Sequence, residues 1–342
     1  VVDLRSDTQT KPSRAMREAM GNAEVGDEQE REDPTVLELE RRTAGLLGQE
    51  EAVYLPTAVM GNQIALAILG ERGSEVIVEE RAHIMTSELG GAAYHSGLQM
   101  RPIPGDRGRI SPAQLREAGW KDGEFWTPRI SVLALEVPHN TAGGAIFPLG
   151  ELRDTLAAAR ELGLRLHLDG ARIMNAAVAL GVPAAEIAGA FDTVTICLSK
   201  GLGCPLGALI AGSHELMHHA RIEKHRFGGA MRQAGIVAAA GLYALDHNVD
   251  RLADDHRRAR RLAEAWVAAG LPVDLELVET NFVQVDVAAL GLTVDDALAR
   301  VRKRGVLLSQ TKPGVVRAVT HLDLTDEDID HAVNAVPEAL HV

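Results

Sequence analysis

The sequence predicts an α/β protein, a large unit on a mostly parallel, buried sheet followed by a smaller α+β unit. Three observations carry this. From about residue 50 to residue 211, short β-rich runs alternate with helical patterns, the rhythm of crossover units that join parallel strands. From 213 to 270 helical pattern dominates, and beyond it strands and helices return in a compact group. The chain has 342 residues, 46% of them apolar and 24% charged, which is enough to bury a large core and unlike a disordered or fibrous chain.

Taken in order, residues 1–35 are polar, with one short helical pattern at 13–20 closed by Gly21. They read as an arm that packs on the large unit or on a neighbouring subunit. Asp33-Pro34 opens a helix with Leu37, Leu39, Leu46 and Leu47 on its apolar face and Gly48 as its stop. Strand runs follow at 52–55, 76–78, 130–135, 164–168, 194–198 and 208–211, which makes 36–248 the large domain. The Arg/Asp/Glu-rich stretch at 251–264 reads as one long solvated helix bridging two domains. Strands at 282–285, 306–308 and 315–319 and helices at 294–304 and 327–340 complete a small domain over 249–342.

Composition narrows the function. Thirty-five basic residues face 48 acidic ones, and a formal charge of −13 argues against nucleic acid as a partner. Cys197 and Cys204 cannot frame a chain of this length with disulfides, and no Asn-X-Ser/Thr acceptor occurs, so a reducing compartment is expected. No apolar run reaches the ~18 residues of a membrane span, and the start of the chain does not read as a signal peptide. A cytoplasmic protein with no membrane partner is expected.

Chemistry concentrates at strand ends. Cys197-Leu198-Ser199-Lys200-Gly201-Leu202-Gly203 places Lys200 directly after a buried strand. Partial desolvation there disfavours the ammonium and frees an amine able to form a Schiff base. One unit upstream, the 164–168 strand delivers His167, Asp169 and Arg172 at its carboxyl end, where open α/β sheets bind ligands. Alone, Asp169 reads as a helix cap. Paired with Lys200, it is the anion that a pyridoxal 5'-phosphate ring nitrogen requires. Thr57-Ala58-Val59, at the start of the next helix after a strand, suits the cofactor phosphate, because helix amino termini present free amides. A competing motif, His214-Glu215-Leu216-Met217-His218, matches a zinc-protease pattern but has no convincing third ligand, so no metal is expected.

These residues resemble the threonine aldolase family of fold type I pyridoxal phosphate enzymes over most of the chain. The matching blocks are 3–8, 23–27, 32–35, His83-Ile84, 166–172, 197–203 and 229–233. The resemblance implies cleavage of a β-hydroxy-α-amino acid, threonine or a bulkier analogue, to glycine and an aldehyde. It also implies that Lys200 carries the cofactor, Asp169 faces the ring nitrogen, Arg172 neighbours the ring hydroxyl and substrate, and His83 stacks on the ring. Ser6 and Arg317 would hold the substrate carboxylate. Arg232 would reach the phosphate of a neighbouring subunit in a homodimer or homotetramer with shared active sites.

The sequence departs from the family around the expected pocket. Glu30-Arg31 stands where a Tyr-Gly pair is usual, Thr57-Ala58-Val59 replaces Ser-Gly-Thr, and Ser87 takes a common aromatic position. Trp126 stands for a histidine, His225 for a lysine, and Val137-Pro138 for Asn-Thr before His139-Asn140. Substrate size, the base for the β-hydroxyl and the grip on the phosphate depend on these positions. β-Elimination or transaldol exchange on the same cofactor, and a catalytically silent module of the same fold, are the competing readings.

Overall fold

A computed structural model describes residues 1–120 and 123–341 of the chain. The apolar runs become strands because they are buried on both faces, and most of them lie where the sequence puts them, extended by a residue or so. In chain order the strands are β1 (Val2–Asp3), β2 (Glu51–Leu55), β3 (Glu75–Glu79), β4 (Gln99–Ile103), β5 (Ile130–Glu136), β6 (Arg165–Asp169), β7 (Thr193–Cys197), β8 (Ala208–Gly212), β9 (Phe282–Asp286), β10 (Val306–Leu307), β11 (Ser309–Lys312) and β12 (Val315–Val319). Seven form one sheet in the order β2-β8-β7-β6-β5-β3-β4, parallel except that β8 runs against both neighbours.

The sequence reading misses the two-residue β1 and, for a physical reason, β4 and β11. The last two are edge strands, half exposed and polar, and β4 carries Pro102. An edge strand that stays exposed keeps no apolar run and tolerates proline, whereas the edge strand β2 is buried and keeps its run.

The carboxyl-terminal unit has its own antiparallel sheet, β11-β12-β9, and its own core around Trp266, Val283, Val316 and Ile329. Val2 and Leu4 are buried in that core, because β1 pairs in parallel with β10. The arm is therefore divided: its first residues complete the carboxyl-terminal unit, while its helix Arg14–Gly21 packs on the helix Gly235–His247. The charged stretch at 251–264 also differs from expectation. In the helix Leu252–Ala268, Leu252, Ala259, Leu262, Ala263 and Trp266 are fully buried while Arg257, Arg260 and Arg261 face acids outside. A 3.6-residue stripe of small and apolar side chains is enough to dock a helix whose other face is charged.

Two local features set up the site. Asp33 caps the helix Pro34–Leu47 through Val36 N at 3.0 Å and also accepts Gly235 N at 2.8 Å, tying the arm to a distant helix. That helix buries Val36, Leu39, Ala44 and Leu47, whereas the expected Leu37 and Leu46 are only half-buried. The helix Ala58–Leu69 crosses close over the sheet at Gly61, where a Cβ would come 2.8 Å from the Thr195 methyl. Only glycine allows that approach, and it brings the next residue, Asn62, over β6. Among the described residues no helix is long and apolar enough to cross a membrane.

Candidate active site

The carboxyl ends of β5, β6 and β7 lie side by side and deliver Glu136, Asp169 and, three residues past β7, Lys200. Asp169 is buried. Its Oδ2 accepts a hydrogen bond from Asn62 Nδ2 at 2.9 Å and its Oδ1 accepts Ala171 N at 3.1 Å. The second hydrogen of Asn62 Nδ2 goes to Glu88 Oε1 at 2.8 Å. With both amide hydrogens committed to carboxylates, Asn62 Oδ1 faces His167 Nε2 at 3.1 Å, so that nitrogen carries the hydrogen. His167 Nδ1 then accepts from the Thr193 hydroxyl at 2.9 Å. Burial pushes His167 down to about 4, so the ring is neutral near pH 7 and every polar atom in this row has a partner.

His83 stands above this row. Its Nδ1 is 2.9 Å from Glu88 Oε1, and its backbone N–H donates to Glu136 Oε2 at 2.7 Å. The hydrogen bond to Glu88 raises the imidazole above its ordinary value against the effect of burial, with Asp169 and Glu136 adding to it. Nδ1 is spent on Glu88, which leaves Nε2 to face a ligand. His83, Glu88 and Asp169 offer ligand atoms within 4.8 Å of one another, yet the two hydrogens of Asn62 already point at both carboxylates. That donor set suits an organic ring better than a cation.

Beside the row lies a pair of arginines. Arg172 is held by Asp7 through two bonds of 2.7 Å, from Nε and Nη2. Burial raises the Asp7 carboxyl, but Arg172, with help from Lys200 and Arg317, brings it down to about 2. Arg317 Nη1 donates to Asn140 Oδ1 at 3.0 Å, and Arg172 Nη1 approaches the same oxygen at 3.4 Å. Both guanidiniums lie over the buried Phe282 ring, at 5.0 and 5.4 Å from its centre. Burial, then the charge of Arg172, pushes Arg317 down to about 10. Two guanidiniums share one carboxylate, so this corner carries an uncompensated positive charge that a bound anion would neutralise.

Lys200 is half-buried, and its Nζ makes no hydrogen bond or ion pair among the described residues. Its carbonyl accepts the Thr10 hydroxyl at 2.8 Å, which ties the turn carrying Ser6 and Asp7 to the lysine loop. Ser6 Oγ accepts Thr8 N at 3.2 Å, as a capping serine does, and keeps its own hydrogen for a further acceptor. Thr57 caps the helix Ala58–Leu69 through Met60 N at 3.2 Å, Ala58 is half-buried, and Val59 is exposed beside them.

Three expected site residues are not brought to the pocket of their own chain. Arg232 is 61% exposed and pairs with Asp27 at 2.8 Å. Glu30 is exposed on a turn, and it is Glu28, two residues earlier, that pairs with the buried Lys224. Trp126 is 64% exposed, its ring edge-on to Phe125 at 4.6 Å. His214 is also exposed, with Nδ1 at 3.0 Å from Glu51 Oε2, and belongs to a surface charge cluster. Conversely, Asn62, Glu88, Asp7, Asn140 and Phe282 are missed as contributors by residue-type reasoning. The signal for Asn62 and Gln63 is legible in retrospect: two amides in the otherwise apolar helix Ala58–Leu69, both buried.

A lysine after one strand, an aspartate ending its neighbour, and a helix amino terminus over both define the class, a fold type I enzyme. The particular family follows from comparison. Residues 3–290 match the beta-eliminating lyase family. The chain is 42% identical over 332 residues to the low specificity L-threonine aldolase of Escherichia coli K12, covering 96% of each chain. It is 36% identical over 344 residues to low-specificity L-threonine aldolase 1 of Arabidopsis thaliana, covering 99% of this chain and 96% of that one. In fold it matches the threonine aldolase of Leishmania major with a TM-score of 0.86 at 19% identity, over 99% of this chain and all of that one. The chain belongs to the beta-eliminating lyase family and, within it, to the threonine aldolases.

Proposed function

We propose that this chain is a pyridoxal phosphate-dependent lyase that cleaves threonine and related β-hydroxy-α-amino acids to glycine and an aldehyde. The observation that carries the reading is the unspent amine of Lys200 at the sheet end shared with the buried Asp169. Family membership supports the reaction, since the relatives from Escherichia coli and Arabidopsis thaliana, matched over nearly their full length, are low-specificity L-threonine aldolases.

Lys200 would hold the cofactor through its amine, Asp169 would face the ring nitrogen, and His83 would stack on the ring. Asn62 keeps one Asp169 oxygen occupied and so directs the carboxylate. The helix start at Thr57-Ala58-Val59 would receive the phosphate with backbone amides. Bound there, the cofactor supplies a protonated ring that accepts the electron pair of the breaking Cα–Cβ bond. Ser6 and Arg317, with Arg172 held against Asp7, bind the substrate carboxylate and fix which Cα bond faces the ring. His83 Nε2 would take the β-hydroxyl proton, and the Glu88 contact at Nδ1, which orients the imidazole, supports this role.

We further propose a homo-oligomer with shared sites, in the cytoplasm. The exposed Val59, Leu89 and Tyr94 support an interface, and the two buried, free cysteines suit a reducing compartment. The test is product analysis with threonine and added pyridoxal phosphate. Glycine and acetaldehyde in equal amounts are expected, whereas 2-oxobutanoate and ammonia would replace this reading by β-elimination.

A further inference from the structure

We propose that Glu136 is a positioning residue that joins the cofactor half of the site to its anion-binding half. The inference rests on the roles proposed above for His83 and for the arginine pair. Glu136 ends β5 beside Asp169 in the sheet register and is buried. Its Oε2 accepts the backbone N–H of His83 at 2.7 Å, and its Oε1 accepts the backbone N–H of Asn140 at 2.8 Å. The first amide carries the ring that covers the Asp169 row. The second carries the side-chain oxygen on which Arg317 and Arg172 converge. One rigid carboxylate therefore fixes the separation between the stacking imidazole and the brace of the arginine pair.

A buried imidazole and a second carboxylate lie next to Glu136. His139 is buried behind it, with Nε2 2.9 Å from Glu79 Oε2 and 4.0 Å from Glu136 Oε2. Glu79 in turn accepts Arg81 N at 2.7 Å, so the second carboxylate is anchored to the chain leading into His83. An ionised carboxylate can accept from both amides, and such charge-assisted bonds are the strong ones. A neutral amide of the same shape cannot, because its NH2 must face one of the two N–H groups. That asymmetry separates a positioning role from simple filling of space.

The experiment uses Glu136→Gln, with Asn140→Ala and Glu79→Gln beside it. Amide hydrogen exchange read by mass spectrometry on the cofactor-free protein reports the two bonds without turnover. In Glu136→Gln, the segments around His83 and around Asn140 are expected to lose protection together, while β6 and β7 keep theirs. On the loaded enzyme, kcat for threonine is expected to fall and the glycine Kd, read from the cofactor's visible spectrum, to rise, each by about tenfold. Asn140→Ala keeps both amide bonds and removes only the brace, so it should raise the glycine Kd without changing exchange at His83. Glu79→Gln should not produce the paired change, since it touches neither amide. Loss of protection at one segment alone, or a fall in kcat with unchanged glycine affinity, overturns the proposal. If Glu136→Gln does not fold, wild-type protein decides: the two amides must show matched, strong protection, and unprotected exchange at either one refutes the coupling. Failure of wild-type protein to cleave threonine would sink the proposed function and leave the exchange result standing.

Discussion

The floor of the site and its rim are built on opposite terms. On the floor, Thr193, His167, Asn62, Asp169, Glu88 and His83 form one row in which donors and acceptors match, most of it buried. Val59, Glu30, Trp126 and Arg232, the expected rim, are exposed on the surface of this chain, and among the described residues only Arg232 of the four has an ion-pair partner. A single chain completes the floor by its own folding, because unsatisfied buried polar groups there would each cost about 1–3 kcal/mol. The rim has no such constraint within one chain. Its residues gain a role only against a ligand or another subunit.

Substitutions on the floor should therefore have the largest effects. Lys200→Ala is expected to abolish turnover and the cofactor's borohydride-trappable link, and trapping on another lysine would reassign the residue. Asp169→Ala should slow cleavage by at least about 10²-fold, as loss of an oriented electrostatic partner does. Asn62→Leu leaves the His167 N–H buried without an acceptor and removes a donor from two carboxylates. A stability loss of about 3 kcal/mol is expected from urea unfolding. Unchanged stability would mean that the row is not coupled as its geometry implies.

How much of this was legible follows the same division. Asp169 and Lys200 are legible as a pair, because a strand-end aspartate followed one unit later by a strand-end lysine is what the cofactor requires, and the buried strands announce themselves by apolar runs. Asp7 and Asn140 do not. Asp7 opens a short 3-10 helix and Asn140 lies in a turn, and each acts on an arginine from a distant element, Arg172 at 2.7 Å from Asp7 and Arg317 at 3.0 Å from Asn140. Periodicity carries no such long-range pairing. Asn62 is intermediate: its helix is readable, but only the close approach at Gly61 reveals that its amide meets β6.

The rim can be broken separately. If Arg232 serves a neighbour's phosphate, Arg232→Ala should weaken cofactor binding by about tenfold or more, the worth of a charged hydrogen bond, with little change in unfolding. Cofactor titration alongside sedimentation checks this. A fully active monomer at assay concentration would contradict shared sites.

A smaller effect sharpens the floor. Glu88, against burial, raises His83, and Asp169 and Glu136 raise it further. If Nε2 takes the β-hydroxyl proton, His83 must be neutral, so kcat/KM should rise with pH through a value above the ordinary 6.5 of imidazole. Removing the Glu88 charge in Glu88→Gln favours the neutral ring and should move that acid limb to lower pH. An unmoved limb would assign the base elsewhere.

The smallest effect concerns substrate choice, where the rim alone is at issue. Trp126 and Phe125 present two aromatic rings to solvent, 64% and 92% exposed, and neither makes a hydrogen bond or ring contact with the floor among the described residues. Such surface is costly to leave in water and is readily covered by an apolar ligand or a neighbouring chain. On the resemblance drawn from the sequence, Trp126 would stand where the threonine aldolase family commonly has a polar imidazole, and Ser87 would remove bulk from an aromatic position. If assembly brings these residues over a site, neutral bulky β-hydroxy amino acids should be cleaved at least as well as threonine. Glu30 in the same place adds a negative charge and should disfavour acidic side chains such as that of 3-hydroxyaspartate. The differences should be modest, about 1–3 kcal/mol in kcat/KM, because apolar pockets discriminate weakly. Trp126→His should then shift preference back toward threonine without altering glycine binding, if that binding rests on Ser6, Arg172 and Arg317 as proposed. If threonine exceeds every bulkier substrate tenfold and Trp126→His leaves that order unchanged, the aromatic pair does not touch substrate in any assembly, and the floor alone sets specificity.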